Sequence, residues 1–236
     1  MFHEATTLEF KKEAALPATE GVRIAGPLDE RAIVSVVQLG FDCDPFVRWM
    51  YSDPASYLAG FSELARAVAV RSIRERSALV AQRSAGAALW FRSGISLARN
   101  EVFEIVRSTI PIDLQTPVLR IIDQMASFRP SEPHWYLPIM AVDPSRQGSG
   151  IATSLMRFAT EVCDEEDLSI YLESSSPRSI SLYRRFDFEI IGTIRSGGSP
   201  PLFPMLRKRR SDRSRASRDI YDPFIHETAD MNGKEN

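Results

Sequence analysis

Apolar residues recur at helical spacing in the first part of the chain, which predicts helices there. The stripes consist of Ile33, Val36, Val37 and Gly40, then of Phe46, Trp49 and Met50, and a further helix is expected over residues 55–73. Short apolar runs at residues 22–24, 78–82 and 87–91 predict strands, and the turn-forming residues 83–86 join the last two into a hairpin. The first half therefore combines helices with a small antiparallel sheet.

The second half of the chain alternates strands with helices. Residues 134–142 are apolar on both faces, as expected of a central strand that is covered from both sides. A helical stripe over 151–162, a strand over 168–173, a helix capped by Ser176, and strands over 188–194 and 202–206 follow. An insert of two predicted helices, residues 94–131, separates the two halves. This order predicts an α/β fold.

Composition and charge place the chain among globular proteins, because 44% of its 236 residues are hydrophobic and 25% are charged. We expect a loose arm over residues 1–20, one domain over 21–206, and a basic, disordered tail over 207–236. Cys43 and Cys163 lack metal-ligand spacing and are too few for a disulfide framework, which favours a reducing, cytoplasmic compartment. No apolar run is long enough to span a bilayer, so no membrane partner is expected.

The loop between the apolar strand and the next helix is rich in small residues, Gln147-Gly148-Ser149-Gly150-Ile151-Ala152. The first amides of a helix have no internal acceptor, so such a loop can bind a pyrophosphate, although a glycine turn without a ligand has the same pattern. A P-loop is excluded because Ile151 and Ala152 follow Gly150 where Lys and Ser/Thr belong. A dinucleotide-binding (Rossmann) motif is a weaker alternative, because Thr153 stands where its third glycine or alanine belongs. It stays open because Glu173 lies near the end of the next strand, where that motif has an acidic residue.

These segments resemble the GNAT N-acetyltransferase superfamily. The loop matches the motif Gln/Arg-x-x-Gly-x-Gly/Ala, and residues 181–188 resemble its Leu-Tyr-x-x-x-Gly-Phe segment. The resemblance covers residues 20–206 and is closest to fungal-type members with His-Trp-Tyr-Leu before the loop and Tyr-Leu-Glu-Ser after it. It implies a mixed, mostly antiparallel sheet with splayed fourth and fifth strands and helices on both faces.

The resemblance also implies acetyl-CoA as cofactor and assigns residues to it. Backbone groups of Met140, Ala141 and Val142 would contact the pantetheine arm, and the segment from Gln147 through Gly148, Ser149, Gly150 and Ile151 to Ala152 would contact the pyrophosphate. Ser176 and Ser179, at the start of the next helix, are further candidates for cofactor binding. Tyr183 matches the tyrosine that protonates the departing thiolate, and Asp187 stands at a glycine position where a positive φ is often needed.

Acetyl transfer needs a base, because an amine is almost wholly ammonium at neutral pH. Tyr136 stands where the family often has glutamate or histidine, and tyrosine is a poor base. His134 lies two residues earlier on the same strand face. Glu173, which ends the neighbouring strand, is the third candidate.

The acceptor site is expected between the first two helices, the hairpin and the insert. Phe41, Phe46, Trp49 and Trp90 are candidates for an apolar pocket, and an insert covering it favours a small-molecule amine. Three alternatives stay open: a protein lysine or N-terminal acetyltransferase, a CoA-binding regulator without turnover, and nucleic-acid binding or a nuclear location through the basic segment 207–218.

Overall fold

The computed structural model describes residues 21–81 and 83–219, and within them the strands form one sheet. The strands are β1 (Val22–Ile24), β2 (Ala78–Ala81), β3 (Gly86–Arg92), β4 (His134–Val142), β5 (Ser169–Ser174), β6 (Glu189–Ile190) and β7 (Phe203–Arg207). Their spatial order is β1-β2-β3-β4-β5-β7-β6. All neighbours are antiparallel except β4 and β5, which run parallel. The expected mixed, mostly antiparallel sheet is confirmed.

Helices cover both faces of this sheet. They are α1 (Glu30–Phe41), α2 (Pro45–Met50), α3 (Pro54–Ser56), α4 (Ser62–Arg74), α5 (Arg99–Thr109), α6 (Ile112–Phe128), α7 (Ile151–Glu165), α8 (Pro177–Arg184) and α9 (Arg210–Asp219). Buried residues of α1, α4 and α6 share one apolar core with one face of the strands, and those of α7 and α8 share a second core with the other face. No helix of the described residues is long and apolar enough to cross a membrane.

The two central strands separate part-way along their length. β4 pairs with β5 only from His134 to Leu137, and the rest of β4 continues without this neighbour. The separation begins at Pro138, which has no amide proton to donate to a strand ladder. The pairing of β3 with β4 also shifts register at this level, between Leu89 and Phe91. A single proline therefore coincides with the opening of the sheet, and the predicted splay is confirmed.

Some element boundaries differ from the sequence-based prediction. The helix expected over 55–73 runs from Pro54 to Arg74 and contains a π-helical turn at Tyr57–Phe61. The strand expected over 188–194 is limited to β6, followed by an isolated bridge between Ile194 and Leu202. Gly192 between them lies against the ring of Phe128, where an added Cβ would approach ring carbons to 2.4 Å. This contact with α6 coincides with the interruption of the strand between β6 and the bridge.

The disordered tail expected from residue 207 is a wrong prediction for its first part. Arg207 belongs to β7 and is buried, and both of its terminal nitrogens donate to Asp164 at 2.7 Å. Arg213 in α9 donates to Asp164 and Asp187, each at 2.6 Å. Ion pairs with Asp164 and Asp187 thus hold the beginning of the basic segment against the domain. The predicted arm, residues 1–20, and the rest of the tail, 220–236, lie outside the described residues.

Candidate active site

A cleft of about 750 Å³ opens where β4 and β5 separate. One wall is the end of β4 with the loop into α7, and the other is the end of β5 with α8. The turn between α1 and α2 closes one end. Of the residues predicted to hold the cofactor or the acceptor, those lining the cleft are Phe41, Met140, Ala141, Val142, Gln147, Gly148, Gly150, Ile151, Ala152, Ser176, Ser179 and Tyr183, and Glu173 joins them.

The start of α7 forms a cradle of backbone donors at this cleft. Gly148 and Gly150 have φ values of +84° and +88°, a conformation that side chains with a Cβ rarely adopt. Gly150 is the N-cap of α7, and no side chain caps that helix end. The first amides of α7 therefore have neither an intrahelical acceptor nor a capping side chain, and the helix dipole favours an anion there. These features fit a pyrophosphate.

Three arginines line the same cleft, and sequence reasoning missed them. They are Arg146 before the cradle, Arg178 in the first turn of α8, and Arg185 just after α8. Arg178 donates to the Gln147 side chain at 2.5 Å and so links the two walls. Only the fold brings these side chains, up to 39 positions apart, to one anion site. Their number matches a ligand that carries several phosphate charges.

The free edge of β4 supplies further backbone groups. Met140, Ala141 and Val142 pair with β3 on one side, and β5 has left their other side. α1 packs closely behind this edge, because a Cβ added at Gly40 would lie 2.9 Å from the Ala141 Cβ. The free edge is therefore backed by a closely packed helix and can bind an extended ligand arm as an additional strand would.

Tyr183 lies on α8 and lines the cleft although it is only 7% exposed. Burial raises the pKa of its hydroxyl, which therefore stays protonated and can act as a proton donor. Its ring packs against Phe188, with centroids 5.7 Å apart. Asp187 between them has a φ of +63°, as expected from the glycine position it replaces.

Glu173 stands at the separation of the strands with an enclosed carboxyl group. Its Oε1 atom is buried and has no hydrogen-bond partner among the described residues. Burial raises the pKa of Glu173 to about 7, while the Arg129 guanidinium and the nearby Tyr136 and Tyr171 hydroxyl groups act in the opposite direction. A carboxyl group that titrates near neutrality is suited to accept a proton from an ammonium group.

The other two base candidates have different surroundings. Tyr136 contacts the same carboxyl group, but burial raises the pKa of its hydroxyl and makes it an even poorer base. His134 begins β4 opposite Ser169, so it stands four residues before Glu173 in the sheet, about 13 Å away. Its Nδ1 atom lies 2.8 Å from the Glu132 carbonyl oxygen, and it does not line the cleft. The geometry brings Tyr136 to Glu173 and leaves His134 apart.

The aromatic residues predicted for the acceptor pocket separate into three groups. Phe41 lines the cleft, whereas Phe46 and Trp49 pack beside it with an apolar cluster of Ile121, Ile194 and Leu202. Trp90 is completely buried in the core shared with α7 and does not reach the cleft, which corrects its assignment. Alternation along β3 turns it away from the face that carries Tyr136 and Tyr171.

The role expected of Ser149 in the cradle is that of its backbone amide, and this stays a prediction. Its side chain turns back and donates to the Arg146 carbonyl oxygen at 2.5 Å, and it does not line the cleft. Ser176 caps α8 by accepting from the Ser179 amide. Within residues 21–81 and 83–219 no group of His, Cys, Asp and Glu could hold a metal ion.

Comparisons with known proteins agree with this geometry. Residues 118–188, from within α6 to just past α8, match the model of the acetyltransferase (GNAT) family. An uncharacterised N-acetyltransferase of Schizosaccharomyces pombe is 33% identical over 81 residues, which are 33% of this chain and 33% of that protein. The segment 118–188 is therefore similar to the GNAT acetyltransferase family. The chain thus covers about a third of the length of this curated relative, and members of the GNAT family use acetyl-CoA as the acetyl donor.

Solved GNAT structures share the fold over most of the chain. A Corynebacterium glutamicum structure described as histone acetyltransferase HPA2 and related acetyltransferase is 27% identical, with a TM-score of 0.56 over 80% of this chain and 96% of that one. The polyamine N-acetyltransferase of Drosophila melanogaster is 13% identical, with a TM-score of 0.59 over 79% and 98%. At 13% identity, the likeness to the Drosophila structure concerns the fold alone.

Proposed function

We propose that this protein transfers an acetyl group from acetyl-CoA to a small-molecule amine, directly and within a ternary complex. The observation that carries the proposal is one cleft that joins a backbone anion cradle at Gly148 and Gly150 to a buried carboxyl group at Glu173. The cradle is suited to the cofactor's phosphates, and Glu173 is suited to remove a proton from the acceptor.

The residues of the cleft fit CoA in the order in which its parts are connected. The amides at the start of α7, with Arg146, Arg178 and Arg185, would bind the phosphates. The free edge of β4 at Met140 to Val142 would hold the pantetheine arm and direct the thioester toward Glu173. When bound, acetyl-CoA supplies the acetyl group as an activated thioester.

Two side chains of the protein would move protons. The Glu173 carboxylate accepts a proton from the acceptor's ammonium group, which frees the nitrogen lone pair to form the new bond to the acetyl carbon. At the departing sulfur the Tyr183 hydroxyl would donate a proton, and the second proton lost by the acceptor nitrogen would restore the Tyr183 hydroxyl. Tyr183 is protonated throughout the neutral range because burial raises its pKa. Backbone amides of β4 would stabilise charge that develops on the carbonyl oxygen.

A small acceptor is supported by the way the insert covers the Glu173 face of the sheet. α6 lies against the segment 191–202: Phe128 contacts Gly192, Pro117 contacts Gly197, and the Gln124 side chain donates to the Arg195 carbonyl oxygen at 3.1 Å. Ile121 packs between Ile194 and Leu202. These contacts fix the insert over this face of the sheet, next to the cleft, which favours a small acceptor over a peptide lying across that face. The Drosophila relative named for polyamines has a small acceptor, whereas the Corynebacterium relative is named for histones.

Thermal unfolding with acetyl-CoA, CoA and NAD tests the cofactor. Both CoA species, at about a hundred times their dissociation constants, should raise the melting temperature by roughly 5–10 °C, and NAD should not. Release of free thiol from acetyl-CoA is then followed with single amines, polyamines and histone-tail peptides. Absence of any CoA effect would overturn the proposal. Turnover with peptides alone would indicate a protein acetyltransferase. CoA binding without any turnover would indicate a CoA-binding regulator.

A further inference from the structure

Arg129 occupies an unusual position beneath the insert. α6 ends at Phe128, and Arg129 is extended because Pro130 follows it and disfavours the helical conformation. The side chain then lies over β4, with its guanidinium carbon 4.1 Å from the centroid of the Tyr136 ring. Its Nε atom is buried and has no hydrogen-bond partner among the described residues. A cation has thus been placed on the ring of Tyr136, a neighbour of the candidate base Glu173.

Two tyrosine rings connect this guanidinium to Glu173. Tyr136 pairs with Tyr171 across β4 and β5, and their ring centroids are 5.8 Å apart. Glu173 follows Tyr171 by two residues and therefore lies on the same face of β5. The Tyr171 hydroxyl stands near two acceptors, the Met125 carbonyl oxygen at 3.3 Å and the Glu173 carboxyl group. Arg129, the two tyrosines and Glu173 form one cluster, which we call the base cluster.

The charged and titratable groups around Glu173 come from several elements. α6 provides Arg129, β4 provides Tyr136 and, further along, His134, and β5 provides Tyr171. The α1–α2 turn contributes Cys43 and Asp44 to the same cleft, and α8 contributes Tyr183. Asp44 is held by the amides of Phe46 and Val47 and by the Ser175 hydroxyl. Arg146, Arg178 and Arg185 line the same cleft, and Arg129 is the cation that lowers the pKa of Glu173.

We propose that Arg129 is a positioning residue for acetyl transfer: stacked on Tyr136, it keeps Glu173 in the carboxylate form that can accept the acceptor's proton. The role in transfer rests on the proposed function, but the effect on Glu173 does not. Burial of the carboxyl group alone favours its protonated form, and a nearby guanidinium opposes this. Without that cation, fewer molecules at neutral pH would hold a carboxylate able to act as a base.

The direct test is a titration of Glu173 in the free protein. Glutamate labelled with ¹³C at the side-chain carboxyl carbon gives one NMR signal per residue, and the signal that is lost in Glu173→Gln belongs to Glu173. We expect a midpoint near pH 7 in the unmodified chain. Arg129→Met should raise the midpoint by about one pH unit or more, and Arg129→Lys should keep most of the original value.

Arg120→Met, on the exposed part of the same helix, is the matched control and should leave the midpoint unchanged. If Arg129→Met does not fold, Arg129→Gln replaces it, because it removes the charge and keeps a polar side chain. An unchanged midpoint in the folded, uncharged variant overturns the proposal, whatever the activity. Where an acceptor has been identified, the pH profile of kcat/KM should shift in the same direction, with CoA affinity kept. A shifted titration without any turnover would instead count against the proposed function.

Discussion

The two ends of the cleft are built in different ways. The phosphate end consists mainly of backbone: two glycines with positive φ and the uncapped start of α7, all within a few residues of sequence. The base end consists of side chains from β4, β5 and the end of α6, which are buried together. Backbone donors depend on local conformation and tolerate changes of neighbouring side chains, whereas the base cluster depends on each of its members. The two ends should therefore respond differently to mutation.

The largest expected effect on CoA affinity is at the phosphate end. Gly150→Glu adds a side chain where φ is +88° and a negative charge where an anion should bind. We expect CoA affinity to fall by about a hundredfold or more in calorimetry, since both strain and repulsion act on the same amides. Gly198→Glu is the matched control, because Gly198 also has a positive φ, +76°, and open space around its Cα, but lies outside the cleft. Equal losses in both variants would contradict a role for the cradle.

Removing the candidate base should leave the phosphate end intact. Glu173→Gln keeps the size of the side chain and loses its ability to accept a proton, so kcat should fall by about 10²–10⁴-fold with CoA affinity unchanged. In the unmodified chain, kcat/KM should rise as the pH increases through about 7, where Glu173 becomes charged. The variant should lack this rise. Glu189→Gln, at an exposed glutamate of β6, serves as control.

A smaller loss of activity is expected at Tyr183. Tyr183→Phe removes the hydroxyl that would protonate the leaving sulfur, and we expect kcat to fall by roughly 10–100-fold with little change in CoA affinity. Tyr51→Phe is the comparison, since Tyr51 is equally buried and its hydroxyl contacts Thr109 outside the cleft. Full activity of Tyr183→Phe would contradict the role of the hydroxyl as proton donor, and the tyrosine would then only pack against Phe188.

The smallest effect is on stability and concerns the base end alone. Because the pKa of Glu173 is raised in the folded state to about 7 from 4.5, the folded chain binds a proton more tightly than the unfolded chain does. Its stabilising contribution is complete below about pH 4.5 and is lost as the pH rises through 7. Relative to the unmodified chain, Glu173→Gln should gain on the order of 2–3 kcal/mol between pH 5 and pH 8. Melting curves at both pH values measure this, and a gain independent of pH would refute it.

The contrast also explains how much could be read from the sequence. The glycine-rich loop carries its conformation in its own residues, so both the turn and the helix that follows were predictable. The splay could be inferred only through resemblance, although Pro138 marks its position. Asp187 was expected to adopt a positive φ, and it does.

The remaining parts of the site depend on tertiary contacts. Arg129 and Glu173 are 44 positions apart, and nothing in the local pattern indicates that the end of α6 folds over β4. Arg146 is also far in sequence from Arg178 and Arg185, and only the fold brings the three to one cleft. Trp90 was misassigned because an apolar strand has two buried faces, and the sequence does not tell which of them faces the acceptor. A solvated tail was expected because the basic segment was considered without the aspartates that bind it.

The docking of this basic segment has a consequence for recognition. Arg207 and Arg213 share the Asp164 carboxylate, and the Ser211 amide donates to Asp167 at 2.9 Å. Any partner that reads residues 207–213 as an extended chain must first break these contacts, so its apparent affinity is reduced by the fraction of molecules in which the segment is closed. For such a partner the segment would be gated, and salt, which screens the arginine–aspartate pairs, should make it more accessible.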